Sequence, residues 1–325
     1  MKKLNRNLLS GLLAPVLIVI IIGCGRGEED AMSEADVPSP LSTLDISAEP
    51  PSPDEVANTT FSGILDDPVS LIDGHWQGDP FVEGGASAPA VGLVRGFHLT
   101  GDLTGDGNAN TAVLLWSSSG GSGTFDYISV VGRTETGVAS LATAELGDRV
   151  QVRQGRIVDG RIELDVVQAG PEDAACCPTQ KATRIWQMSP GELSEASSEV
   201  TGTISVADLE GAEWVLTDFA WNEPAPEDPE VTLLFEEDKI SGNAGCNGYF
   251  GGFEEAGDLP SGLAFGPLGA TRKMCPEEMM TVEDRFLKQL GSVTSYGYLA
   301  GKLALSWQSE DGAGVMLFVP RAPVS

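Results

Sequence analysis

Apolar positions along this chain fall into three regimes. Behind Lys2, Lys3 and Arg6 they run from Leu12 to Ile22, broken only by Pro15, and stop at Gly23-Cys24. That run is short for a membrane span and has the length of a signal-peptide core. From Gly25 to about Thr60 large apolar residues nearly vanish. The stretch carries nine acidic residues, a single base (Arg26) and Pro38, Pro40, Pro50, Pro51 and Pro53, which predicts a disordered, self-repelling acidic tether over 24–60. Beyond it, apolar and polar residues alternate in short runs bounded by Gly, Pro, Asn and Asp, the mark of antiparallel strands.

Between 61 and 189 the candidate strands are Gly92–Leu99, Thr111–Trp116, Phe125–Val131, Val138–Ala142, Arg149–Val152 and Ile185–Met188. The run Arg156–Leu164 reads as a hairpin with Asp159-Gly160 at its turn. A Ser-, Glu- and Gly-rich stretch, 190–208, is expected to be a linker. From 209 to 320 strand patterns resume at Trp214–Phe219, Val231–Phe235, Lys239–Gly242, Gly248–Phe253, Leu303–Trp307 and Val315–Val319. One segment breaks the alternation. Met279, Val282, Phe286, Leu287 and Leu290 recur at helical spacing, with Pro276 expected at the first helical position, Glu277 and Glu278 in the first turn and Gly291 as the stop. The fold class is therefore mainly β: an N-terminal antiparallel β domain, then an α+β domain with one helix packed on a curved antiparallel sheet.

Charge narrows the partners. Nineteen Lys and Arg face 48 Asp and Glu, for a net charge of −29, so phosphate backbones are repelled and nucleic acid is excluded as a partner. Five cysteines are present. Cys176, Cys177, Cys246 and Cys275 lack the C-x₂₋₄-C spacing of a zinc site and allow three disulfide pairings in an oxidising compartment.

Three resemblances add to this. Ile21-Ile22-Gly23-Cys24 resembles a bacterial lipobox, which implies a signal peptide over 1–23, lipidation of Cys24 with palmitate, and a membrane lipoprotein of the cell envelope. Acyl chains anchor at about 0.8 kcal/mol per buried CH₂. Gly25, rather than Asp, implies the outer membrane facing the periplasm where the source has two membranes. Trp214-Val215-Leu216, Ile240–Phe250 (with Gly245-Cys246-Asn247-Gly248 at its centre), Thr271–Pro276 and the helix Glu283–Leu290 resemble the META domain, the HslJ-like family. That resemblance implies a cracked antiparallel barrel with one helix, links to envelope stress and secretion, and no established reaction. A disulfide between Cys246 and Cys275 is expected within it, closing a loop of about 30 residues worth roughly 3–4 kcal/mol. Cys176 and Cys177 then either bond to each other or stay reduced. Through Gly101–Gly107, Leu146–Val150 and Cys176-Cys177-Pro178, the segment 61–189 resembles uncharacterised domains of bacterial lipoproteins.

Two constellations carry candidate chemistry. Asp102, Thr104, Asp106, Asn108 and Asn110 fall at oxygen-ligand positions of a calcium loop, with Gly107 at the sharp turn and Val113, not Glu, at position twelve. The simpler reading is an Asp-Gly turn feeding the next strand. Gly242, Gly245, Asn247 and Gly248 suit a tight turn that specifies a fold without a ligand. Catalysis has little to draw on. His75 and His98 are the only imidazoles, and Ser122 lies in Gly-Gly-Ser-Gly-Thr, which departs from G-x-S-x-G. The expected function is a non-enzymatic, lipid-anchored envelope protein that binds a hydrophobic ligand or a protein partner. The alternative is a hydrolase or other enzyme in the N-terminal β domain, with Asp102, Asp106 or His98 near its site. An apolar cavity inside the barrel would favour the first, a polar His-bearing cleft in the N-terminal half the second.

Overall fold

The alternating runs after Thr60 pair as antiparallel meanders. The computed structural model describes residues 49–321, apart from 86, 122, 175, 222, 258, 259 and 311. The signal peptide 1–23, Cys24, Ser122 and the tether up to residue 48 lie outside the described residues.

A five-stranded sheet comes first. It runs His75–Gln77, Ala90–Gly101, Asn110–Ser118, Phe125–Thr134 and Gly137–Asp148, each strand beside its chain neighbour. Successive side chains point to opposite faces, and here both faces are covered. Ala112, Leu114, Ile128 and Val130 pack with Ile162, Leu164, Val166 and Trp186 of a second sheet. Val113, Leu115, Tyr127 and Val131 pack with Val56, Phe61, Ile64, Val69 and Leu71. Double coverage explains the continuous apolar run Ala112–Leu115.

It also revises the tether. Residues 49–60 belong to the folded body: Pro53–Ala57 form a short helix capped by Ser52 and Glu55, and Val56 is buried. Arg133 fixes the segment, donating to both Glu55 oxygens and to the carbonyls of Glu49 and Pro50. This bond and the Ser52 amide hold the Glu55 carboxyl down to about 2. Pro-rich composition suggested disorder, but one apolar side chain and one arginine are enough to dock a turn.

The second sheet is a four-stranded meander of Gln151–Val158, Arg161–Gln168, Gln180–Ser189 and Glu192–Thr203. The expected linker 190–208 is thus largely a strand, paired along its length with Gln180–Ser189. It is an edge strand exposed at all but Leu193. The ladder satisfies its backbone without apolar side chains, and polar residues suit a solvent-facing edge. A 3₁₀ turn, Val206–Leu209, follows and buries Leu209 completely.

The C-terminal lobe curls one sheet until its edges meet. Its order is Leu263–Phe265, Gly248–Glu255, Lys239–Asn243, Thr232–Glu236, Glu213–Ala220, Gly312–Pro320, Lys302–Ser309 and Val293–Leu299. A Gly262–Ser295 bridge and a Tyr296 amide bond to the Ser261 carbonyl nearly close the barrel. The helix spans Glu277–Leu290 with Pro276 as its N-cap rather than its first residue. Phe286 and Leu290 are fully buried, and Phe286 sits edge-on to Tyr249 and Phe318. Each such side chain stabilises by about 1.5–3 kcal/mol. Phe235, Leu263, Leu303, Leu305 and Met316 complete the interior.

The lobes interlock along a seam. Val167 belongs to the C-terminal core, while Leu299 and Ala300 pack on the N-terminal one. The Tyr298 amide donates to the Gln151 side-chain oxygen, the Gly301 amide to the Val152 carbonyl. A Cβ on Gly297 would come within 2.8 Å of Gln151.

Candidate functional site

The Gly-Cys-Asn turn is a clasp. The Asn247 amide nitrogen donates to Glu283 Oε1 at 3.1 Å and to the Lys273 carbonyl at 3.2 Å. Its oxygen accepts from Thr271 Oγ1 at 2.8 Å and from the Lys273 amide at 2.7 Å. Its own backbone amide donates to Glu283 Oε2 at 2.7 Å. The sulfurs of Cys246 and Cys275 lie at bonding distance, with Cα atoms 5.9 Å apart. Gly245 adopts φ +111, and Gly242 passes so close to the Thr232 carbonyl that no Cβ fits. Gly248 is under no such demand, since a Cβ there would meet only an oxygen at 3.7 Å. Every polar group of Asn247 is spent on the protein itself, so the clasp joins turn, strand and helix and offers no open valence to a ligand.

The Asp102 loop also closes on itself. Asp102 accepts from the Gly105 and Gly107 amides at 2.7 and 3.0 Å, and Asp106 from the Asn108 amide at 2.9 Å. Buried Asn110 accepts from the Leu103 amide at 2.9 Å and from Thr104 Oγ1 at 3.4 Å. The Asn108 amide is the main reason the Asp106 carboxyl is held below the usual range. The five oxygen-bearing residues are brought together, but as a hydrogen-bonded turn. Among the described residues no group of three or more His, Cys, Asp or Glu is disposed to hold a metal. His98 lies elsewhere: it lines the groove described next, and Asp102 and Asp106 do not. Glu277 and Glu278 occupy the first helical turn. The adjacent sulfurs of Cys176 and Cys177 are also at bonding distance.

The concave surface lies where the lobes meet. The strand Ala90–Gly101 loses register between Leu93 and His98, a wide bulge over Val94–Phe97 in which Gly96 takes φ +81. Phe97 turns into the core over Gly155, where a Cβ would come within 2.7 Å of its ring. Three clefts radiate from Gly96. One of about 830 Å³ runs between the bulge and the Pro50–Asn58 segment. A second, of about 540 Å³, follows the seam past Arg153, Asp208, Trp214 and Tyr298. A third, of about 520 Å³, passes Arg95, Asp218, Trp221 and Lys302. Shared lining residues (Gly96 in all three, Ala300 in the last two) make them arms of one groove.

Its electrostatics are mixed. Lys302 pairs with Asp218 at 2.8 Å, and Lys181 with Asp208 at 2.6 Å. Arg95 is exposed and donates to the Asp73 carbonyl, and no carboxylate among the described residues pairs with it. The Arg153 guanidinium lies 5.0 Å from the Tyr298 ring centroid. Arg153 also pairs with Asp208 at 3.6 Å, while its Nε and the Tyr298 hydroxyl are buried without a hydrogen-bond partner among the described residues. Beneath the groove Asp126 borders a small void with Tyr298 and Ala300. Burial pushes its carboxyl up to about 7, against a Val150 amide bond that lowers it.

Sequence reasoning did not single out Arg95, Gly96, Arg153, Trp221 or Tyr298. One local signal was present: a glycine inside an apolar strand pattern marks a bulge. The others are joined only by tertiary contact.

Among curated proteins none matches this chain. A solved structure described as the NMR structure of the protein from Burkholderia xenovorans is 21% identical, over 40% of this chain and 98% of that one, with a TM-score of 0.28. The META domain family model matches residues 207–322, the span from the 3₁₀ turn through the last barrel strand. The C-terminal lobe of this chain is a META domain.

Proposed function

We propose that this protein is an envelope lipoprotein, tethered through Cys24, whose META domain and N-terminal sheets together form a non-enzymatic binding module. The binding site of this reading is the groove around Gly96. The observation that carries it is the contrast between a filled barrel and an open seam. Phe235, Phe286, Phe318, Leu263 and Leu305 close the barrel interior, so a hydrophobic ligand has no room there. The concave, partly unsatisfied surface lies between the lobes, where binding sites concentrate.

A His-bearing cleft was the feature expected of a hydrolase, and His98 does line the groove. The binding reading is favoured because general-base catalysis needs an imidazole within reach of a nucleophile or an orienting carboxylate. The His98 side chain is hydrogen-bonded to no other described side chain.

Two measurements test the reading. Cys24→Ser should abolish palmitate labelling and leave uncleaved precursor; unchanged labelling removes the lipoprotein half. Hydrogen exchange of the full chain with solubilised envelope should show protection at Val94–His98 and Leu299–Lys302. Protection confined to Thr271–Cys275 would move the site to the META clasp and refute the groove.

A further inference from the structure

The fold uses its two cysteine pairs very differently. Cys246 is buried, and its bridge to Cys275 spans 29 positions and ties the Gly-Cys-Asn turn to the start of the long helix. Cys176 and Cys177 are neighbours, so their bridge joins no two elements. A disulfide stabilises mainly by closing a loop of the unfolded chain, and adjacent residues enclose none. The connection that carries them, between Arg161–Gln168 and Gln180–Ser189, is closed by other means. The Asp173 carboxylate accepts from the Gly170 amide at 2.7 Å, from the Thr179 amide at 2.7 Å and from Thr179 Oγ1 at 2.9 Å. The Gln168 side-chain amide donates to the Gln180 side-chain oxygen at 3.2 Å. Both flanks of the pair are therefore pinned whatever its redox state. Cys176 is exposed and Cys177 half-buried. This is a bond that the architecture does not need, placed where solutes reach it.

We propose that Cys176–Cys177 is a thiol-exchange site, a couple that takes two electrons from an external dithiol while Cys246–Cys275 stays closed. It is independent of the groove and of the lipid anchor. Exchange depends on which sulfur the attacking thiolate can reach, and exposed bridges are the labile ones. The first thiolate of the reductant attacks Cys176 Sγ and forms a mixed disulfide, and the Cys177 sulfur leaves as a thiolate that takes up a proton. The second thiolate then attacks the reductant's own sulfur in that mixed disulfide and releases Cys176, which is protonated in turn. Two protein thiols and a disulfide on the reductant result. Adjacency selects the reductant class. A monothiol is expelled after the first step, because the Cys177 thiolate sits one residue from the mixed disulfide. Only a reagent carrying its second thiol in the same molecule competes with that return. Charge acts in the same direction: Glu172 and Asp173 precede the pair in a chain of −29, which disfavours anionic thiols. Because Asp173 holds the flanks, the change stays within the connection and the sheet persists.

The test incubates the full chain in detergent, without denaturant, with graded dithiothreitol or with glutathione at equal thiol concentration. Free thiols are then blocked and the peptides mapped. Before any reductant, Cys176 and Cys177 should be recovered bonded to each other. They should open at a dithiothreitol concentration at least tenfold below the one that opens Cys246–Cys275, and glutathione should need at least tenfold more thiol for the same effect. The selectively reduced protein, and the double variant Cys176→Ser with Cys177→Ser, should melt like the parent. The Cys176 thiol left by Cys177→Ser should react with dithiodipyridine at least tenfold faster than the Cys177 thiol left by Cys176→Ser. Free thiols at both positions before reduction, opening of the two bridges together, or glutathione matching dithiothreitol overturns the inference. So do equal rates in the two single variants. A fall in Tm on selective reduction would make the pair a structural staple and overturn it as well.

Discussion

On paper the turns Asp102–Asn110 and Asn243–Gly248 look alike, both short and rich in Gly and Asn. In the fold they do opposite things. In the first, every side-chain acceptor named above takes a proton from within seven positions along the chain. In the second, Asn247 bonds to Thr271, Lys273 and Glu283, between 24 and 36 positions away. Local closure makes a loop that feeds one strand. Distant closure holds a barrel turn to a helix. The same residue types therefore carry different energetic weight, set by what they connect.

The largest effect should come from cutting the distant closure covalently. Cys246→Ala with Cys275→Ala should cost about 3–4 kcal/mol in urea unfolding under oxidising conditions, because a long loop is freed in the unfolded chain. Peptide mapping without reductant should recover the Cys246–Cys275 pair, and free thiols at both positions would refute the bridge. Next comes Asn247→Ala, expected to cost about 2–3 kcal/mol, since it strands the Lys273 amide and a Glu283 oxygen at once. A loss under about 1 kcal/mol would erase the distinction between the two turns.

Asp126 sharpens the comparison as a half-buried polar group that finds too little closure of either kind. Its folded carboxyl titrates near 7, against about 4 in the unfolded chain. Between those values the native state holds the extra proton, so stability falls as pH rises from 4 to 7 and stays reduced above. Asp126→Asn should raise stability by about 2 kcal/mol at pH 8, after discounting partial exposure. At pH 4 the gain should vanish. A gain equal at both pH values would remove the titration from the account.

Smaller effects belong to the local turn. Asp102→Ala should cost about 1 kcal/mol, as for a helix or turn cap. Millimolar calcium should add no more than about 0.4 kcal/mol, the linkage value for a site of about millimolar affinity. A larger rise in Tm that Asp106→Ala abolishes would make the loop a calcium site and end its description as a self-closed turn.

The difference between the turns also explains what could be read in advance. Strands such as Asn110–Ser118 and the hairpin through Asp159-Gly160 follow from period-two patterning and turn chemistry. The helix Glu277–Leu290 follows from its apolar stripe and its Gly291 stop. Val293–Leu299 was missed because Thr, Ser, Tyr and Gly dilute its alternation, although Tyr296 and Tyr298 are buried. The Glu192–Thr203 strand was missed because an edge needs ladder partners rather than apolar residues.

By itself, then, the sequence determined a mainly β chain and the place of the long helix Glu277–Leu290, because periodicity, capping and turn preferences act over a few residues, and its Gly-Cys-Asn motif carried the resemblance to the META domain. Tertiary structure alone decided that residues 49–60 dock on the first sheet, that the barrel is filled, and that Arg95, Gly96, Tyr298 and Trp221 share a groove. Those outcomes depend on which faces meet and on how closely Gly155 and Gly297 let backbone and side chains approach. No local propensity encodes a partner more than a hundred residues away, as Gln151 is for Tyr298.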